Sequence, residues 1–390
     1  MRFITVLVTV FLAVPVHIHA QTAPRLNVRA GADFLTSMTY RNSFSQTELV
    51  SGNAELTWKA IGKDAFERAW NLPELGVGVE WTDQSALVEG EERKFFKDLY
   101  AVYGVIRRDL NRRGRVNLGY DFGLGAAYTS GVFDYDSCPE NWYYGSHLTC
   151  YVRAAAHVGV MVTPYLEILA EAKAAHASNG RLSYPNYGGN FLGGGLSARY
   201  SFYTSEHHVP RQRIPRDVYR HGLAADIQVG GGVHTCGTEY VARYISLKEP
   251  YAGLKRWPKA SLSADLMYRY SGKFSSGIIA DLFYSSNASA LRDYDTAISG
   301  TEAVAACPGY SALSLGVGFI HGIHYKNWMA FVSSGVYLYR RMGIRDYHGP
   351  VYNRAGLRYH PAGHPLYVGA SIKAQPFKAE YFDFSLGWTI

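Results

Sequence analysis

Along most of this chain, apolar and polar residues alternate with a period of two. The last nine residues show it plainly. Phe382, Phe384, Leu386, Trp388 and Ile390 are large and apolar, whereas Asp383, Ser385, Gly387 and Thr389 between them are small or polar. The same parity runs through Val152–Val162, Leu26–Phe34, Val116–Tyr128, Ala264–Tyr270 and Leu366–Ala374. Strict alternation puts successive side chains on opposite faces of a β-strand. The alternating segments are about ten residues long, the length of a transmembrane β-strand.

The alternation predicts sixteen strands, near 26–36, 48–58, 74–82, 96–106, 115–129, 150–163, 165–178, 190–203, 220–235, 259–270, 276–286, 311–323, 327–339, 352–360, 364–374 and 379–390. Strands two, three and fourteen alternate least clearly, so fourteen is the alternative count. One face carries Val, Ala, Leu, Phe and Tyr. The other carries Arg153, Glu167, Glu171, Lys173, Arg199, Asp265, Arg269, Asp281, Lys373 and Asp383. An apolar outside and a charged inside describe a membrane barrel with a polar lumen. The expected fold is therefore all-β, a single antiparallel transmembrane β-barrel filling 21–390, wide enough at sixteen strands to enclose water. With the N-terminus in the periplasm, the tight turns at 163–165, 271–275, 324–327 and 361–364 fall on the periplasmic side. The long connections 130–148, 236–258, 287–310 and 340–351 then fall outside, the asymmetry such barrels have. The longer connection 204–219 breaks that pattern.

Composition agrees with this reading. The chain has 390 residues, with 31 Tyr, 18 Phe, 7 Trp and 40 Gly, and only 18% charged side chains. Disorder and coiled coil are thereby excluded, and the aromatics suit interfacial girdles. Residues 1–20 read as a secretory signal, with Arg2 as its basic start and Phe3–Val14 as its apolar stretch. Beyond residue 21, no apolar run reaches the roughly 18 residues of a membrane helix. The expected place is the bacterial outer membrane. The net charge of +7 is modest, and an exported chain without a basic stripe has no nucleic acid to bind. Cys138, Cys150, Cys236 and Cys307 show no metal-ligand spacing. In an oxidising compartment they are expected as disulfides, paired 138–150 and 236–307 out of three connectivities. His321 with His324, and His360 with His364, read as interfacial histidines near turns rather than as a metal site. No cofactor is implied.

One segment carries candidate chemistry: His176-Ala177-Ser178-Asn179-Gly180, then Pro185-Asn186-Tyr187-Gly188-Gly189-Asn190. By parity, His176, Ser178 and Asn190 share the lipid-facing side with Ala170, Ala172, Ala174 and Leu192. Polar groups on that face need a reason. Residues i and i+2 on a strand lie roughly 6.5–7 Å apart, so a bulge or long side chains would be needed to bring Ser178 to the imidazole. A histidine in reach of the serine could act as general base to a Ser178 nucleophile. The plainer reading is three polar residues at headgroup level.

The run His-x-Ser-Asn followed by Pro-Asn-x-Gly resembles the lipid A 3-O-deacylase family of outer-membrane barrels. Asn71–Val79, Tyr144–Leu148 and the Lys373–Trp388 ending are similar to large members of acyloxyacyl-hydrolase type. The resemblance implies a Ser/His/acid hydrolase that removes an ester-linked acyl chain from lipid A, the lipopolysaccharide anchor of the outer leaflet. Ser178 matches the nucleophile and His176 the base. The family's acid, a Glu, falls on Asn190, which can orient an imidazole but cannot neutralise an imidazolium. Asn179 and Asn186 match motif asparagines, as oxyanion donors or as loop-shaping residues. The alternative from another class is a non-enzymatic pore or structural barrel with a degenerate motif. A soluble lipocalin-like carrier is weaker still.

Overall fold

The structure is a computed structural model that describes residues 24–36, 44–85, 97–110, 114–139, 141–202, 212–346, 348–375 and 378–390. The expected signal segment, residues 1–20, lies outside them.

All sixteen predicted strands form, including the three with the weakest pattern. In order they are β1 Pro24–Thr36, β2 Phe44–Lys59, β3 Glu74–Thr82, β4 Leu99–Asp109, β5 Val116–Thr129, β6 Leu148–Met161, β7 Leu166–Ser178 and β8 Gly189–Ser201. The second half continues with β9 Gly222–Thr235, β10 Arg256–Arg269, β11 Phe274–Ser285, β12 Leu313–Tyr325, β13 Trp328–Tyr339, β14 Val351–Tyr359, β15 Leu366–Gln375 and β16 Lys378–Thr389. Short helices at Ala288–Ser299 and Thr301–Ala306 lie in the connection between β11 and β12.

The expectation of one sixteen-stranded barrel is corrected. The strands close into two antiparallel barrels of eight, β1–β8 and β9–β16. Strand β8 turns back to pair with β1, from Arg25 opposite Ser201 to Thr36 opposite Asn190. Likewise β16 pairs with β9, from Phe384 opposite Gly231 to Thr389 opposite Asp226. The anomalous connection 204–219 lies where the first barrel has ended and the second has yet to begin. The chain divides into two compact units, Met1–Asn179 with Pro185–Arg213, and Gly180–Tyr184 with Ile214–Ile390.

An eight-stranded barrel has an interior just wide enough for side chains to fill, and charged residues fill both of these. In the first barrel Arg153 meets Glu55 and lies 3.0 Å from Glu171 and 3.4 Å from Asp121. Arg107 lies 2.5 Å from the same Glu55, and Tyr103 donates to it at 2.9 Å. In the second, Arg354 reaches Asp281 and Asp383, each at 2.7 Å, and Arg358 reaches Asp265 at 2.8 Å and Asp226 at 3.0 Å. These side chains are buried. The mixed charges read as a wet lumen are mutually paired, as buried ions must be. The opposite parity faces outward: Val152, Val158, Leu192, Leu196, Leu262 and Ile278 are all exposed.

The disulfide expectation is also corrected, since all four cysteines are free thiols. Cys150 sits within β6, opposite Ser178. Cys138 packs in the connection between β5 and β6, against a cluster that includes Tyr144 and Tyr151. Cys236 is buried among Trp257, Ala288, Leu291 and Met342, where burial pushes its thiol up to about 11. Cys307 follows the Thr301–Ala306 helix and accepts a hydrogen bond from the Gly309 amide at 3.4 Å. Placing all four at strand ends leaves open which way each side chain points.

Candidate active site

The site forms at one end of the first barrel, on the outward side of β7 and β8. These two strands are joined through residues 179–188, and their pairing sets His176 directly opposite Asn190. Ser178 follows on the same outward parity at the end of β7. The His176 Nδ1 lies 2.7 Å from Asn190 Oδ1, and its Nε2 lies 2.8 Å from Ser178 Oγ. With the amide oxygen facing Nδ1, that nitrogen carries the proton and donates it. Nε2 then accepts the Ser178 hydroxyl hydrogen. The strand spacing that keeps i and i+2 apart is overcome at the strand end, where side-chain reach closes the gap.

The three groups are only partly wet. Ser178 is 6% exposed, although it stands on the outward parity. Gly188 folds back over it with φ +71°. A Cβ there would lie 2.8 Å from the His176 ring and 2.9 Å from Ser178 Cβ. Only glycine combines that left-handed backbone with that approach. The same stretch is held by the connection between β5 and β6. The Gly188 amide donates to Tyr143 O at 3.0 Å and the Tyr187 amide to Trp142 O at 3.1 Å, while the Trp142 and Tyr187 rings stack at 6.0 Å.

The two asparagines named from the motif are both present here, and both are engaged by the loop. Asn186 Oδ1 accepts the Asn179 backbone N–H at 2.8 Å. Asn179 Nδ2 donates to Ser146 Oγ at 2.9 Å, and Ser146 Oγ donates to Leu148 O at 3.0 Å. Gly188 is the glycine of the Pro-Asn-x-Gly run, whereas Ser146 has no role readable from sequence. No local spacing relates residue 146 to 179, because the fold brings them together through β6–β7 pairing. The only available signal was the run Tyr144–Leu148. Among the described residues, no group of three or more His, Cys, Asp or Glu side chains is arranged to hold a metal ion.

A serine, an imidazole and an amide oxygen in hydrogen-bonded series can deprotonate the serine and orient the base. The arrangement faces outward from a barrel whose outward side chains are apolar, so an ester group lying in a membrane could reach it.

Comparison with known proteins gives the lineage. Residues 52–199 match the family described as lipid A 3-O-deacylase (PagL). Residues 223–390 match the family described as acyloxyacyl hydrolase, C-terminal domain. The two matches thus fall one on each barrel. No curated protein matches the chain. Among solved structures, the neisserial surface protein A is 14% identical, covers 46% of this chain and 97% of its own, and has a TM-score of 0.30. The outer membrane enzyme PagL is 15% identical, covers 45% and 98%, and has a TM-score of 0.28. The attachment invasion locus protein of Yersinia pestis is 13% identical, covers 46% and 99%, and has a TM-score of 0.27. From the two family matches, the chain is a bacterial outer-membrane β-barrel protein of the lipid A 3-O-deacylase family, with an acyloxyacyl hydrolase C-terminal domain.

Proposed function

We propose that this protein hydrolyses an ester-linked acyl chain of lipid A, at the outer wall of its first barrel. The observation that carries this reading is the series Ser178 Oγ, His176 Nε2, His176 Nδ1 and Asn190 Oδ1, joined at 2.8 and 2.7 Å. Ser178 Oγ adds to the ester carbonyl while its proton passes to His176 Nε2. Collapse of the tetrahedral adduct breaks the ester bond, and the departing sugar hydroxyl takes that proton from the imidazolium. Ser178 is left as an acyl ester. Water adds to this ester with His176 again taking the proton. Collapse then releases the fatty acid and returns the proton to Ser178. Asn190 holds the ring so that Nε2 faces the serine. Asn179, Asn186 and Ser146 hold the loop that carries the nucleophile.

The test is mass spectrometry of lipid A from outer membranes containing the wild type, beside Ser178→Ala at equal barrel abundance. The expected result is lipid A lacking one acyl chain with wild type, and fully acylated lipid A with the variant. A rate loss of at least about a thousandfold is expected for removing the nucleophile of such a relay. Identical lipid A in both strains would overturn the reading.

A further inference from the structure

The outer wall of the second barrel carries a groove of about 870 Å³ across β11–β15. Strand register gives its shape. Ser276, His321, Val332, Ala355 and Ile372 lie opposite one another in turn across the five strands. The neighbouring row starts with the large Ile278 and Phe319, then drops to Ser334, Asn353 and Ala374. Phe319 is 76% exposed and stands as one bank, with small side chains as the floor beyond it. Five strands enclose four gaps, so the groove is about 19 Å long. It runs perpendicular to strands that tilt by about 35–45°, and therefore obliquely through the hydrocarbon layer. A helix, about 10 Å across, is too wide for a channel between two adjacent rows. An extended acyl chain fits it.

The two ends differ in chemistry. At the β11–β12 end the Ser276 hydroxyl and the His321 ring are hydrogen-bonded at 2.9 Å, and Phe274 stacks on His321 at 5.9 Å. Lys273 immediately precedes β11, and Lys326 lies in the two-residue turn after β12. Polar groups on a lipid-facing wall need a partner. Short turns of outer-membrane barrels face the periplasm, which sets this polar end, with the two turn lysines beyond the residues that line the groove, at the headgroup level of the inner leaflet. We propose that the groove binds one acyl chain of an inner-leaflet glycerophospholipid, with its phosphate near Ser276, His321, Lys273 and Lys326. This site lies outside the catalytic series of the first barrel and does not depend on its activity.

The experiment uses the full chain, purified from outer membranes in mild detergent, with retained lipid extracted and quantified by mass spectrometry. Ala355→Trp and Ser334→Leu fill the floor of the groove. Ala260→Trp adds the same bulk on the outward face of β10, outside it. Wild type and Ala260→Trp are expected to retain glycerophospholipid, and the two filling variants about tenfold less, the effect of a 1.4 kcal/mol loss of affinity. Lys273→Ala with Lys326→Ala is expected to reduce retention in the same direction. Heat-modifiable mobility reports folding of each variant, and Ser334→Leu carries the comparison if the tryptophan variant fails to fold. Equal retention in all forms would overturn the proposal. So would retention of lipid A in place of glycerophospholipid. Loss of a dimer on filling the groove, with retained lipid unchanged, would make a second copy of the chain the occupant and also overturn it.

Discussion

Asn190 is where the candidate series departs from the acid its resemblance leads one to expect, and the proposed reaction can be tested there. Its Oδ1 accepts the Nδ1 proton of His176 at 2.7 Å, which leaves Nε2 to accept from Ser178 at 2.8 Å. An amide can rotate to present its NH2 instead, and the ring would then have to place its proton on Nε2, where it cannot take one from Ser178. A carboxylate has no such alternative, and it also stabilises the imidazolium formed in the reaction. Asn190→Asp is nearly isosteric, so it keeps the geometry while supplying charge. Deacylation is expected to rise by at least about tenfold, since the converse change in a serine hydrolase relay costs about 10⁴-fold. The measurement is the rate of acyl release from lipid A in detergent at pH 7.5–8. A rate at or below wild type would show that a charge opposite Nδ1 adds nothing to the reaction. At this scale the site was legible because parity alone placed His176, Ser178 and Asn190 on one face. Ser146 was not legible, because its hydrogen bond to Asn179 spans 33 positions of sequence.

The strands were legible for the same reason. Alternation reports each strand from its own residues, whichever strand it pairs with. Even β14, with a weak pattern, forms at Val351–Tyr359. Connections carry no such periodicity, so the docking of 141–147 on 185–188 could not be foreseen. Gly188 is where that docking meets the chemistry. Alanine there places a Cβ 2.8 Å from the His176 ring and holds a left-handed backbone at a cost of about 1–2 kcal/mol. The strand ladder around it is untouched. Gly188→Ala is therefore expected to leave a folded barrel and to lower deacylation by at least about tenfold, as an ångström of displacement at a reacting group can. The pairing of heat-modifiable gel mobility with lipid A mass spectrometry separates the two effects. Full activity in a folded variant would mean that the loop tolerates a shift at His176. The cysteines fail at this scale for a related reason. Position near a strand end is readable, but whether a side chain joins a core, as Cys236 does, is decided by packing.

At the scale of the whole molecule, the missed feature was closure. Eight strands closing twice and sixteen closing once have the same alternation, the same outward face and the same turn lengths. They differ in how charges meet inside, and only the irregular connection 204–219 hinted at it in sequence. Two filled lumens leave no wide channel among the described residues, so the reconstituted chain is expected to show no porin-sized conductance steps in planar bilayers. Each lumen also holds its own ion pairs. Glu55 carries both Arg107 and Arg153 in the first barrel, and Asp281 carries Arg354 in the second. Removing one partner of a buried pair strands a charge and costs about 3–5 kcal/mol. Glu55→Ala is therefore expected to destabilise the first barrel and Asp281→Ala the second. Limited proteolysis across a urea series can follow each barrel by its own fragments, β1–β8 and β9–β16 being contiguous in sequence. In a two-barrel molecule each substitution lowers the urea midpoint of its own half by far more than that of the other. Equal shifts of both halves with either substitution would mean that the sixteen strands unfold as one unit, and that the separate closure of β1–β8 and β9–β16 does not govern stability.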